Sequence, residues 1–137
     1  MAFRLRTWVC LAQGAYFVLT GLWSLVSIGT FMLITGDKTD VWLVKTVGVL
    51  VIAIGATLLF AARRDRVSEE IRFLAVTAAL ALTAVDVMYV YLRTISPIYL
   101  LDAVVELVFV VAWFLPARTP TSALPKDRPV QPHRVGP

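Results

Sequence analysis

Four long apolar runs, at about 7–28, 41–62, 73–92 and 97–114, alternate along the 137-residue chain with short polar or basic stretches. A bilayer crossing takes about 20 such residues. The pattern therefore predicts an all-α, polytopic membrane protein, an antiparallel four-transmembrane-helix bundle occupying residues 1–115. The first run covers Thr7 to Ser27; Gly29 and Thr30 interrupt it, and Phe31 to Ile34 either extend it or lie in the interface. Gly36 to Asp40 is polar and turn-rich, which suits a tight link between antiparallel neighbours. In the last turn Ser96 fits a helix N-cap and Pro97 the first helical position.

Small residues mark where helices can approach. Gly14 and Gly21 share a face of the first helix, Gly48 and Gly55 one of the second, and Ala75, Ala79 and Thr83 form a stripe on the third. After Phe114 the pattern stops. Residues 116–137 hold six of the seven prolines, which predicts a disordered or extended Pro-rich tail.

Composition changes little in this picture: 59% hydrophobic and 16% charged residues, with a mean hydropathy of +0.81, are too apolar for a water-facing surface. The net charge of +4 adds an orientation. Arg4 and Arg6 precede the first run, Arg63, Arg64, Arg66 and Arg72 lie between the second and third, and Arg118, Lys126, Arg128 and Arg134 follow the fourth. Only Lys38 and Arg93 fall in the other two loops, so both termini are expected in the cytoplasm of a bacterial-type inner membrane. This distribution accounts for the basic balance without a nucleic-acid partner. The basic start MAFRLR imitates a signal peptide, but the apolar stretch runs on to Ile34, beyond an h-region of about 7–15 residues.

Four ionisable residues, Lys45, Asp86, Asp102 and Glu106, lie within the apolar runs. An intramembrane charge costs on the order of 3 kcal/mol, so each calls for a function or a partner. Counted from the adjoining loops at 1.5 Å per residue, all four fall roughly 8–13 Å down, in one layer of the outer half of the bundle. Asp102 and Glu106, four apart, share a helix face. Three acids and one lysine are not mutually neutral. The simplest resting state pairs Lys45 with Asp86 or Asp102 and leaves the deeper Glu106 protonated. Trp42, Tyr89 and Tyr99 stand within a turn of these residues; they either complete a ligand site or belong to the interfacial aromatic belt. Trp8 and Trp113 fit anchors on the cytoplasmic side. Gln13, Thr20, Ser24 and Ser27 form a milder polar stripe on the first helix, lining a cavity or packing on another helix.

Several chemistries are excluded. The one histidine, His133, lies in the tail, so no bis-histidine haem or histidine-based zinc site can form in the membrane. Cys10 is the sole cysteine, and no nucleophile elbow, phosphate loop or dinucleotide fingerprint occurs. No catalytic residue, metal or cofactor is assigned. Lys45-Thr46-Val47-Gly48, the small-residue third helix, and Ile95-Ser96-Pro97 leading to Tyr99-Leu100-Leu101-Asp102-Ala103 and Glu106 resemble uncharacterised bacterial four-helix membrane proteins, loosely DoxX-like. The resemblance covers the second to fourth helices and implies a fold rather than an activity; Asp86 has no counterpart in it.

The expected function is the binding or movement of a small molecule, cation or proton in a charged pocket near the outer face. A small cationic or amphipathic ligand and a homo-oligomer are the expected partners besides lipid. The alternatives are an accessory subunit whose charges meet a partner membrane helix, and a small membrane enzyme using a carboxyl group as acid or base.

Overall fold

The computed structural model describes residues 2–36 and 39–115. The proline-rich tail, Lys38 and the centre of the first loop lie outside the described residues. Among the described residues the chain forms five helices: α1 (Ala2–Val26), α2 (Ile28–Thr35), α3 (Val41–Arg63), α4 (Glu69–Tyr91) and α5 (Tyr99–Phe114). Three stretches are long and apolar enough to cross a membrane: Leu5–Val26, Val41–Arg63 and Glu69–Tyr91. Their outward faces carry exposed Leu19, Phe60, Phe73, Val85 and Val87, which a soluble bundle would bury. These are the marks of a membrane protein.

The first apolar run is two helices, not one. Ser27 departs from helical geometry (φ −135°, ψ 63°) between α1 and α2. Local bonds hold the break: Trp23 Nε1 donates to Thr30 Oγ1 at 3.0 Å, and Thr30 Oγ1 lies 2.7 Å from Ser27 Oγ. Trp23 and Phe31 pack edge to face across it. At the other end of the chain, α5 is 16 residues, about 24 Å long. It begins two residues later than expected. Leu100 and Leu101 donate their backbone N–H groups to the carbonyls of Pro97 and Ile98, three residues back, so Pro97 opens a tighter turn before the α-helix. The helix α4 begins four residues earlier than expected, because Ser68 Oγ accepts from Ile71 N and Glu69 and Glu70 occupy its first turn.

The helices α3 and α4 end alike. Past α3, Asp65 N donates to Ala62 O and Arg66 N to Ala61 O, with Asp65 at φ 55°. Past α4, Arg93 N donates to Val90 O and Thr94 N to Tyr89 O, with Arg93 at φ 56°. Both are Schellman closures with a side chain where glycine is usual.

Packing is uneven. The closest pairs are α1 with α3 and α4 with α5, and contact between the pairs is lighter. The first pair is antiparallel and built on the four glycines. A Cβ at Gly14 would stand 2.9 Å from Gly55 O, and one at Gly55 2.7 Å from Gly14 O. A Cβ at Gly21 would stand 2.7 Å from Gly48 O. Real Cβ atoms essentially never come so close, so the seam requires glycine.

A core of Val9, Cys10, Leu58, Ala62, Ala75 and Trp113 joins the two pairs at the end where the arginines lie. Gln13 is its polar rivet: Nε2 donates to Ala75 O at 2.9 Å, and Trp113 Nε1 donates to Gln13 Oε1 at 2.7 Å. Trp113 is therefore no interfacial anchor. It is 2% exposed, because its indole N–H has a partner in the interior. On the surface of this end Arg6 and Arg72 both pair with Glu69, at 2.8 and 2.9 Å; exposed pairs of this kind are each worth under about 1 kcal/mol.

Candidate functional site

At the opposite end the two helix pairs border a cavity of about 330 Å³. Aliphatic side chains of α3 and α4 form one side of its wall: Leu43, Val44, Val47 and Val51 from one, Leu82 and Val85 from the other. Thr20 and Ser24 of α1 add hydroxyls, although Ser24 Oγ already donates to Gly21 O at 2.8 Å and Thr20 Oγ1 to Tyr16 O at 2.9 Å. Phe31 reaches in from α2 and Tyr99 from the start of α5, so both helices line this end.

Three carboxyl groups converge here. Asp86 arrives on α4 at the end of the Ala75, Ala79, Thr83 stripe, whose two alanines are fully buried. Asp102 and Glu106 arrive one turn apart on α5. Asp86 and Asp102 thus face the same cavity from neighbouring helices. Tyr16 of α1 donates its phenolic hydroxyl to Asp102 Oδ1, and its ring packs on Phe109 at 5.8 Å between centroids. Glu106 is 1% exposed and Asp86 6%. Both oxygens of Glu106, Oδ2 of Asp86 and the Thr83 hydroxyl have no hydrogen-bond partner among the described residues.

Of the residues that the sequence placed in one charged layer, Asp86, Tyr99, Asp102 and Glu106 line the cavity, and Lys45, Trp42 and Tyr89 do not. Lys45 is exposed and forms no ion pair among the described residues, in place of the expected bridge to Asp86 or Asp102. Helix phase is the reason. Gly48 and Gly55 fix which face of α3 meets α1, and Val44, Val47 and Val51 lie on one flank of that seam. Lys45 is about 100° on from Val44, which carries it to the other flank. Trp42, three residues before Lys45, shares its side and is exposed. Tyr89 lies one turn past Asp86, beside the closure of α4, and is 38% exposed.

Sequence reasoning missed Tyr16, the group that bonds Asp102. A signal was present, since Tyr16 lies between Gln13 and Thr20 at helical spacing and extends the same polar stripe. That stripe divides by height: Gln13 serves the core, Thr20 and Ser24 the cavity, and Ser27 the helix break.

The cavity can hold positive charge. It presents three carboxyl groups and two phenols, Tyr16 and Tyr99, without a basic side chain among its lining residues. Among the described residues no carboxylate, imidazole and thiol groups gather as a metal site requires. Comparison of the chain with protein-family models, curated proteins and solved structures returns no match.

Proposed function

We propose that this chain is a four-helix integral membrane protein of a bacterial-type inner membrane, with both termini cytoplasmic, that binds or moves a small molecule, cation or proton at the carboxyl cluster of its cavity. The observation that carries this reading is Glu106, 1% exposed, with neither oxygen partnered among the described residues. An ionised carboxylate so placed is costly, so it holds a proton or meets a cation. Tyr16 orients Asp102, so Glu106, with Oδ2 of Asp86 beside it in the cluster, is left to engage a newcomer.

The fourth crossing is α5, lengthened by the turn at Pro97 and Ile98. Its outward face, with Leu101, Val104, Val108 and Val111, is exposed and aliphatic, as lipid contact demands. Arginines at one end of the bundle and few basic residues at the other support the orientation.

The test is calorimetric. Reconstituted wild-type protein titrated with small cations and amines, in buffers of different ionisation enthalpy, should show saturable binding with proton release, and Glu106→Gln should abolish the release while staying folded. If no cation or amine binds with proton exchange and Glu106→Gln disperses the fold, the cluster is architectural.

A second reading, an accessory subunit or homo-oligomer, is favoured by Lys45. This cation stands on an exposed face of α3, where a carboxylate on a neighbouring helix would neutralise it. Co-purification from membranes, compared between wild type and Lys45→Met, tests it.

A further inference from the structure

The cavity has two unlike parts, and its wall is incomplete. One part is the carboxyl cluster, where Asp86 Oδ2 and both Glu106 oxygens are unpartnered among the described residues. The other is the aliphatic wall of α3 and α4. Leu43, Val47 and Val85 belong to that wall, yet they are 48%, 45% and 50% exposed. A residue that both lines a cavity and faces outward marks an opening, and this one lies between α3 and α4, which touch only lightly. The end of the cavity is lined instead by Phe31, Ile95 and Tyr99. Access is therefore lateral. Resting on the reading of a cation-binding cluster given above, we propose that the ligand is a lipophilic primary amine, which enters sideways from the bilayer between α3 and α4 and sets its ammonium group against Glu106 and Asp86.

Each element of the site has a counterpart in that molecule. A primary ammonium carries three N–H donors and no acceptor. The cluster offers three unpartnered carboxyl oxygens and no competing basic side chain on the lining. A hydrocarbon body fits beside Val44, Val47 and Val51 and gains by leaving water. A metal ion would use the carboxyl groups but not this wall, and a lipid acyl chain would use the wall but leave the carboxyl groups unmatched.

The experiment uses the full chain in lipid nanodiscs, with empty discs of the same lipid to subtract partitioning. Radiolabelled octylamine is the probe, octanol its neutral counterpart and methylamine its head group alone. Octylamine should bind saturably, octanol should fail to displace it, and methylamine should compete only at much higher concentration. Glu106→Gln should weaken octylamine at least about tenfold, the scale expected for loss of a charged hydrogen-bond partner; Asp86→Asn provides the same reading if that variant does not fold. Val47→Trp and Val85→Trp, at the opening, should slow octylamine association severalfold. Equal binding of methylamine and octylamine in a Glu106-dependent manner would overturn the lipophilic ligand while sparing the cation site. Displacement by octanol would reduce the cavity to an acyl-chain groove. Absence of Glu106-dependent binding by either amine would overturn both readings, and unchanged association in the two tryptophan variants would overturn the lateral route.

Discussion

Trp113 Nε1 donates to Gln13 Oε1 at 2.7 Å, and through the other end of the same amide the bond continues to Ala75 O, joining α5, α1 and α4 at one buried point. Gln13 is fully buried and uses a donor and the acceptor of its side chain.

Replacing it therefore leaves partners stranded. Gln13→Leu should lower stability by about 1–3 kcal/mol, the cost of unsatisfied buried groups. Trp113→Phe in the Gln13→Leu background should cost less than in the wild type, because the stranded indole N–H is then removed. Unfolding in detergent of the two single variants and the double variant measures the coupling. Strict additivity would mean that the rivet contributes little.

Glycines give a second, sharper contrast. Gly55→Ala should disrupt the α1–α3 pair, since the new methyl would meet Gly14 O at 2.7 Å. Gly29→Ala should be tolerated and can stabilise α2 by about 0.5–1 kcal/mol, because nothing lies within 4 Å of its Cβ position and alanine is the better helix former. Melting temperatures of both variants, measured in one detergent, test the ordering.

Arg93 adopts φ 56° where the closure of α4 favours glycine. Arg93→Gly should raise stability by about 1 kcal/mol through relief of left-handed strain. No change on substitution would show that the strain is offset elsewhere in the turn.

Orientation is testable with thiol chemistry, because native Cys10 is buried with its Sγ–H donated to Leu58 O. Cysteine at Thr94 should react with an impermeant reagent outside intact cells, and cysteine at Arg66 should not. The reverse pattern would turn the bundle over and place the cavity on the cytoplasmic side.

What could be read from the sequence was whatever depends on local periodicity. The apolar runs located the helices, and the glycines at 14, 21, 48 and 55 located a seam. Spacing from the loops placed Asp86, Asp102 and Glu106 at one height. What could not be read was azimuth. Lys45 stood at the right depth but on the wrong flank of α3, and this is decided by which face the glycines commit to α1. The same ambiguity hid Tyr16, whose partner is 86 residues away. It also miscast Trp113, because an aromatic near a helix end looks the same in sequence whether it faces lipid or a buried amide.

The order of the parts along the chain has a consequence for how the protein is made. Every glycine of the α1–α3 seam precedes residue 56, whereas the three acids sit at 86, 102 and 106. During synthesis a closed hairpin free of buried carboxyl groups can therefore be complete before the first of these acids leaves the ribosome. Tyr16 is already in position when Asp102 arrives. The costly residues thus join the bundle last, onto a template that already holds a donor for Asp102, rather than waiting for one to be made.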